Sequence, residues 1–200
     1  MLTCDLTQYH KLNEHVGRNK VIIHPTTSIT QMSAAPDKNG KIYFWEDKNL
    51  NIDENSNLSI GKYCSIALGV EFFLGGNHRF DFITTALLDP KQPERIQSKG
   101  DICIGNDVWI GYQATVLSGT TIGDGAVIGA KSVVSGTIPP YAIIAGNPGN
   151  IIKYRFDQKT IDLLLTIKWW DWPQEKINRY RSLLCSSNFE MLQELHYSRS

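Results

Sequence analysis

The sequence predicts a mainly β protein whose central part is a parallel β-helix. Between residues 104 and 138 an aliphatic residue returns at every sixth position, glycine directly follows four of them, and a small residue stands four places further on. A period of six fits neither a helix nor a simple strand alternation. It is typical of a triangular coil whose three short faces each point one aliphatic side chain into a narrow shared interior. We expect the glycines to lie where the chain bends between faces. The aliphatic residues are Ile104, Ile110, Val116, Ile122, Ile128 and Val134, the glycines are Gly105, Gly111, Gly123 and Gly129, and the small residues are Val108, Ala114, Thr120, Ala126 and Ser132.

The composition predicts a cytoplasmic protein that binds neither nucleic acid nor membrane. Twenty basic residues balance twenty acidic ones, so no excess charge favours an anionic partner. Residues 1–17 lack an apolar core of signal-peptide length, and no apolar run is long enough to span a bilayer. The four cysteines show no paired spacing, which predicts inert reduced thiols. Cys64 and Cys103 stand in repeat strands, where we expect both to be buried as small apolar side chains.

The first segment, residues 1–57, is predicted to contain strands and loops that pack on the first coil of the β-helix. Short strands are predicted at Lys20–His24, which Pro25 ends, and at Lys41–Trp45. Tyr43 and Trp45 of the second strand are candidate contacts for a substrate, although side chains of this kind more often belong to a core.

The second segment, residues 58–150, is predicted to form the β-helix with one long insertion. The repeat first appears at Ile60, Ile66 and Phe72, stops, and restarts at Ile104 in a different phase. The interruption covers about residues 75–100 and contains two prolines and mixed charges. A loop of that length is uncommon in a compact domain unless it is functional.

The third segment, residues 151–200, is predicted to be helical. Pro139-Pro140 and Gly146-Asn147-Pro148-Gly149 end the coil, because proline cannot donate to a ladder. Asp157 is a plausible N-cap for a first helix, which the Trp169-Trp170-Asp171-Trp172-Pro173 cluster breaks. Pro173 fits the first turn of a second helix through Leu184, and Ser187 with Glu190 predicts a capping box that opens a third.

His78 is the strongest candidate for catalysis. It is the only histidine in the repeat region, and it stands in Gly75-Gly76-Asn77-His78-Arg79-Phe80-Asp81, at the start of the insertion. Two glycines let the backbone leave the coil abruptly and approach a ligand closely. An imidazole titrates near neutrality and is therefore suited to proton transfer.

Four motifs together resemble one enzyme family. They are the run Ile104-Gly105-Asn106-Asp107-Val108-Trp109-Ile110-Gly111, the loop Asn77-His78-Arg79, the exit Gly146-Asn147-Pro148 and the segment Lys168-Trp169-Trp170. Over about residues 58–195 the chain is similar to the hexapeptide acyltransferases of the xenobiotic acetyltransferase group. That group acetylates chloramphenicol and streptogramin antibiotics, and related enzymes act on sugars of surface polysaccharides.

The resemblance implies a left-handed β-helix, an exception to the usual right-handed crossover, assembled as a homotrimer with active sites between subunits. It implies an acetyl-CoA-dependent reaction without a metal, in which His78 takes the proton of the acceptor hydroxyl or amine and the acceptor attacks the thioester directly. No serine or cysteine here stands in a nucleophile motif, which agrees with direct transfer. Glu71, Asn77, Asp81 or a backbone carbonyl are candidates for orienting His78.

The resemblance also implies the binding residues. Lys131 is a further candidate for binding the phosphates of CoA, because the chain has the uncharged Gly136 and Asn150 where many relatives carry a basic residue. Phe80, Asp81 and Phe82 are the candidates for contact with the acceptor. The residues implied for acetyl-CoA are Trp109, Tyr112, Ala130, Ser135, Asn147, Pro148, Lys153 and Arg155.

Two other classes share the coil. A zinc carbonic anhydrase-like enzyme needs three histidine ligands, and the repeat region offers one. A non-catalytic β-helix scaffold would explain the coil but not the glycine-flanked histidine. Within the transferase interpretation, an antibiotic and a sugar remain equal alternatives as acceptor, because the chain has Tyr43-Phe44-Trp45 where antibiotic-modifying relatives usually carry a Tyr-Ser-Tyr-like segment.

Overall fold

A computed structural model describes residues 21–24, 26–29, 56–86, 88 and 96–197. The predicted strand Lys41–Trp45 and the prolines of the insertion lie outside the described residues. The chain divides into two compact units, Met1–Lys153 and Tyr154–Ser200. No helix within the described ranges combines the length and the apolar character needed to cross a bilayer.

Among its described residues, the first unit contains three sheets of short parallel strands, here named A, B and C. In each, parallel pairs join strands that are distant in sequence. Sheet A contains β1 (Val21–Ile23), β3 (Leu58–Ile60), β8 (Ile102–Ile104), β11 (Thr121–Ile122) and β14 (Thr137–Ile138); sheet B contains β2 (Ser28–Ile29), β4 (Ser65–Ile66), β9 (Trp109–Ile110), β12 (Val127–Ile128), β15 (Ala142–Ala145) and β16 (Asn150–Tyr154); sheet C contains β5 (Glu71–Phe73), β10 (Thr115–Leu117) and β13 (Val133–Val134).

The register confirms the predicted coil. Ile104 pairs with Ile122 in sheet A, and Ile110 pairs with Ile128 in sheet B, so each turn of the coil takes eighteen residues. The six aliphatic residues of the repeat are at most 5% exposed, and the five small residues four places on are buried with them. The chain therefore folds as a mainly β, hexapeptide-repeat β-helix.

The two halves of the repeat stack directly on each other. Ile60 of β3 pairs with Ile104 of β8, and Phe72 of β5 pairs with Val116 of β10. The change of phase seen in the sequence therefore leaves the register of the core intact. Between these coils, β6 (Asn77–His78) pairs antiparallel with β7 (Ile96–Gln97) outside the three sheets.

The repeat glycines lie at the bends between faces, as expected, but a positive φ angle is not what requires glycine there. Gly105 and Gly111 do not have positive φ angles; the residues with positive φ stand two places later, such as Asp107 at 56° and Gln113 at 54°. A Cβ on Gly111 would lie 2.6 Å from the backbone nitrogen of Ala130, and one on Gly105 would lie 2.9 Å from that of Asp124. Glycine is needed there because adjacent coils approach too closely for a side chain.

The expectation for the cysteines holds for one thiol and fails for another. Cys64 is 1% exposed, and burial raises the pKa of its thiol to about 11. Cys103 is exposed, because it stands between the buried Ile102 and Ile104 and strand alternation turns it outward.

Residues 154–197 of the second unit contain four α-helices: α1 (Gln158–Ile167), α2 (Gln174–Arg179), α3 (Arg181–Leu184) and α4 (Phe189–Tyr197). Asp157 caps α1 as predicted, accepting a hydrogen bond of 2.8 Å from the Thr160 N–H. The tryptophan cluster follows as one 3-10 turn, in which Trp170 is buried.

Two expectations for these helices are corrected. The helix predicted from Pro173 through Leu184 is split into α2 and α3 at Tyr180, whose φ of −104° departs from helical geometry. The capping box of Ser187 is replaced by Asn188, whose side-chain oxygen accepts from the Met191 N–H at 3.0 Å. The two caps are interchangeable in type, since both residues favour that position.

Candidate active site

The three sheets of the coil meet at three corners, and two of these corners hold most of the candidate residues of the coil. We call the corner between sheets B and C, which includes residues 111–114 and 129–132, corner BC. The corner between sheets C and A, which includes residues 118–120 and 135–136, is corner CA. Stacked hydrogen bonds join successive coils at each corner, as from the Lys131 N–H to the Tyr112 carbonyl at 2.8 Å and from the Thr121 N–H to the Gly136 carbonyl at 2.9 Å.

His78 lies on a loop that leaves the coil at corner CA. The strand β6 follows β5 of sheet C, and its partner β7 leads back to β8 of sheet A. The side chain of Asn77 donates to the hydroxyl oxygen of Ser118 at this corner, at 3.0 Å. The antiparallel pairing of His78 with Ile96 holds the histidine at the base of the loop, and its side chain is exposed.

The backbone carbonyl of Thr85 orients the His78 imidazole. The Nδ1 atom of His78 lies 3.2 Å from this oxygen. A carbonyl can only accept, so Nδ1 carries the proton and donates it. In the neutral ring Nε2 then keeps its lone pair and is available as a base. Of the four orienting groups weighed from the sequence, the structure selects the backbone carbonyl.

Two of the other candidates have different partners. Asp81 forms an ion pair with Arg79, whose Nε donates to Oδ1 at 2.6 Å and whose Nη2 lies close to Oδ2. The hydrogen bond from Arg79 lowers the pKa of the Asp81 carboxyl. The side-chain amide of Asn77 donates hydrogen bonds to the Gln97 carbonyl and to the Ser118 hydroxyl oxygen.

The aromatic candidates for the acceptor differ in how they are held. The Arg79 guanidinium lies over the Phe82 ring, 4.6 Å from its centroid, and Phe82 is 37% exposed. Phe80 is 87% exposed. Arg79 therefore holds Asp81 and Phe82 together, whereas Phe80 projects from the loop.

Corner BC holds the main group of residues expected to contact acetyl-CoA. Tyr112 and Ala130 stand one coil apart on this corner, and both are exposed. The next coil continues the row with Gly146, whose N–H donates to the Ser132 hydroxyl at 3.1 Å. Asn147 and Pro148 follow, exposed, between Gly146 and Gly149, both of which hydrogen-bond to Val133 of β13.

Ser135 and Trp109 do not lie in this row. Ser135 is at corner CA, one coil beyond Ser118 and on the side of the coil from which the His78 loop departs. Trp109 lies in β9 of sheet B with its side chain 55% exposed. A ligand lying along corner BC would therefore meet Tyr112, Ala130, Asn147 and Pro148. Ser135 and Trp109 lie outside this row.

The basic candidates for the phosphates belong to both units. Lys131 is exposed at corner BC, and Lys153 is exposed near the end of β16 in the first unit. Arg155 belongs to the second unit, where its guanidinium lies 5.1 Å from the Phe156 ring centroid. Among the described residues, no three His, Cys, Asp or Glu side chains cluster so as to hold a metal ion.

Sequence reasoning missed Thr85 and Ser118. The carbonyl of Thr85 reaches His78 from seven residues along the loop, and any residue type supplies a carbonyl, so no sequence signal marks it. Ser118 falls two residues after the core Val116 and is 3% exposed. A buried serine that is not in the small-residue position of the repeat is the one signal that could have drawn attention to it.

Comparison with known proteins gives concordant results. The family profile described as "Bacterial transferase hexapeptide (six repeats)" matches residues 104–136. The chain is 44% identical over 146 residues to a chloramphenicol acetyltransferase of Morganella morganii, which covers 68% of this chain and 70% of that protein. It is 45% identical over 130 residues to a probable macrolide acetyltransferase of Lysinibacillus sphaericus, covering 60% and 72%. It is also similar to a hexapeptide-repeat acetyltransferase of Vibrio cholerae solved with acetyl coenzyme A, with 22% identity, a TM-score of 0.48, and coverage of 76% and 79%.

Proposed function

The chain belongs to the hexapeptide-repeat acetyltransferases of the chloramphenicol acetyltransferase group, and on this basis we propose that it moves the acetyl group of acetyl-CoA directly to a hydroxyl group of chloramphenicol or a similar antibiotic. The similarity to a chloramphenicol acetyltransferase over more than two thirds of both chains supports this acceptor. A macrolide hydroxyl is the second candidate, supported by the relative from Lysinibacillus sphaericus.

The hydrogen bond between His78 and Thr85 is the observation that carries the mechanism. With Nδ1 committed to the Thr85 carbonyl, Nε2 accepts the proton of the acceptor hydroxyl as its oxygen attacks the thioester carbon. The carbon–sulfur bond then breaks, and the imidazolium returns the proton to the CoA thiolate. The products are the acetyl ester and free CoA, with no acyl-enzyme intermediate.

The remaining residues have binding roles in this proposal. The exposed row of corner BC, containing Tyr112, Ala130, Asn147 and Pro148, holds the pantetheine arm through backbone groups. Trp109 and Ser135 complete the cofactor site from neighbouring surfaces. Lys131 and Lys153 of the first unit attract the phosphates of CoA, for which Arg155 of the second unit is a separate candidate, and Phe80, Asp81 and Phe82 bound the acceptor site.

The separation of these groups supports a trimer. In one chain His78 lies on the loop that leaves the coil at corner CA, whereas the row of residues expected to bind the cofactor lies at corner BC. A second copy that places its corner BC against corner CA of the first would bring base and cofactor together. This contact uses different surfaces on the two partners, and such a contact forms a ring where the rotation between copies closes. We propose a ring of three left-handed β-helices with three equivalent active sites.

Release of free thiol from acetyl-CoA tests this function against a panel containing chloramphenicol, a macrolide, a streptogramin and nucleotide sugars. We expect chloramphenicol to be turned over, with a gain of one acetyl group in its mass. Turnover of a nucleotide sugar instead would redirect the proposal to polysaccharide precursors. No turnover with any compound, together with no rise in the melting temperature on adding acetyl-CoA, would favour a scaffold.

A further inference from the structure

The hydroxyl oxygen of Ser118 joins both ends of the loop that carries His78 to the coil. It accepts from the side chain of Asn77 at 3.0 Å and from the backbone N–H of Lys99 at 3.1 Å. Asn77 lies in the strand that leaves the coil, and Lys99 lies in the segment that returns to it. One buried hydroxyl thus receives hydrogen bonds from the two ends of the loop.

Asn77 brings this hydrogen-bonded link directly next to His78 in the chain. Its amide nitrogen donates to the Gln97 carbonyl of β7 and to Ser118, so it links the antiparallel pair to corner CA. His78 is the next residue along the chain and pairs with Ile96 in the same ladder. A shift of Asn77 would therefore move the backbone of His78 relative to the coil.

A second serine closes the same loop without touching the His78 strand. The Ser98 hydroxyl donates to the Leu74 carbonyl at 2.5 Å and accepts from the Ser56 hydroxyl. This pair joins the two ends of the loop to each other and to the first coil. Because Ser98 already closes the loop, the bond from Ser118 to Asn77 adds a constraint on the strand that carries the base.

We propose that Ser118 and Asn77 are positioning residues that hold His78 in the orientation in which Nδ1 meets the Thr85 carbonyl and Nε2 faces the acceptor. This inference rests on the proposed function, since it assigns the two residues a role in proton transfer. Neither residue touches a substrate in this account; both act through the backbone of His78. An error of about 1 Å in such a group can lower turnover by about 100-fold.

Two variants and one matched control test the proposal in the full-length chain. Ser118→Ala removes the shared acceptor, and Asn77→Asp keeps the shape of the side chain but removes its N–H donors. Thr27→Val is the control, because Thr27 is equally buried and its hydroxyl bonds to Gly61 and Cys64 at the third corner of the coil. It loses a corner hydroxyl away from the loop.

The first measurement is the tautomer of His78, observed by nitrogen NMR on histidine-labelled protein and assigned by the signal lost in His78→Ala. We expect one fixed Nδ1–H form in the wild type and in Thr27→Val, and a mixture of tautomers in Ser118→Ala and Asn77→Asp. A fixed tautomer in both loop variants would overturn the proposal. If Ser118→Ala does not fold, Asn77→Asp alone decides.

The second measurement is chloramphenicol acetylation with acetyl-CoA. We expect kcat to fall about 10- to 100-fold in both loop variants, with KM for acetyl-CoA unchanged, and the double variant to be no worse than the poorer single one. Full turnover in both loop variants would overturn the proposal. If His78→Ala also keeps full turnover, the general base itself is wrong; if His78→Ala is inactive while the loop variants are fully active, only the positioning role fails.

Discussion

The imidazole of His78 and the backbone carbonyl of Thr85 form a hydrogen bond of 3.2 Å across one turn of the loop between sheets C and A. This bond determines which ring nitrogen carries the proton in the neutral histidine. A catalytic base needs one defined tautomer, because the other tautomer presents an N–H to the acceptor hydroxyl.

Thr84 supports the carbonyl that orients His78. Its hydroxyl oxygen accepts from the Ala86 N–H at 3.0 Å and so fixes the turn around Thr85. Thr84→Val keeps the shape but removes the acceptor, and we expect kcat to fall about 2- to 10-fold, the range of one hydrogen bond. Thr84→Ser retains the acceptor and should keep wild-type kcat. Equal rates for the two variants would contradict this role.

Arg79 should control the Asp81 carboxyl and the Phe82 ring together. In Arg79→Met the pKa of Asp81 should rise back toward its ordinary value of 3.8, observed by carbon NMR of the carboxyl. Since the native pKa is lowered, the stabilisation is present above the unfolded value and is lost as pH falls through the native one. The variant should therefore lose less stability than the wild type on acidification below about pH 4.

The same variant should raise KM for the acceptor and leave KM for acetyl-CoA unchanged, because Phe82 loses its support. Arg79→Lys is the matched control: it keeps the charge but not the two-point contact with the carboxylate. A shift in KM for acetyl-CoA alone would show that Arg79 belongs to the cofactor site.

Cys64 should be unreactive and should make stability depend on alkaline pH. Burial raises the pKa of its thiol from 9.0 to about 11. A raised native pKa means that the stabilisation is complete below pH 9 and is lost as pH rises through 11, amounting to about 2 to 3 kcal/mol. Chemical unfolding of wild type and Cys64→Ala across this range measures the difference.

Exposure supplies a parallel check on this thiol. In the native protein at pH 8, alkylation should label Cys103 and Cys185, which are exposed, and should spare Cys64 until the chain unfolds. Labelling of Cys64 at the rate of Cys103 would contradict its burial in the coil.

Gly111→Ala should destabilise the coil by about 1 to 3 kcal/mol, since the added carbon would lie 2.6 Å from the backbone nitrogen of Ala130. Gly129→Ala is the matched control in the same position of the repeat, where the nearest atom is the Ile144 carbonyl oxygen at 3.1 Å. Urea unfolding should show a clearly smaller loss for Gly129→Ala. Equal losses of stability in the two variants would instead indicate that the bend of the backbone is what requires glycine.

The core of the coil could be predicted from the sequence because one period governs it. Each buried apolar position between Ile104 and Val134 falls in one of the two slots of the repeat, so the pattern alone identifies the apolar interior. The reason for the glycines could not be predicted in the same way. A glycine required by a bend and a glycine required by a close neighbour look identical in sequence, and only the distance from Gly111 to the coil above distinguishes them.

The site could be predicted in part. His78 was identified by its place at the break in the repeat, but its partner depends on how the following residues fold back, which leaves no pattern in the sequence. The repeat alone predicts a buried Cys103, but strand alternation turns this residue, which stands between two core isoleucines, outward. The division of the candidate residues between two corners needed the strand register.

Replacement of the base tests the central claim most directly. In His78→Ala the oligomeric state, the melting temperature and KM for acetyl-CoA should match the wild type, while kcat for chloramphenicol acetylation should fall by at least about 100-fold, the lower bound for loss of general-base assistance. Wild-type turnover in this variant would contradict the account.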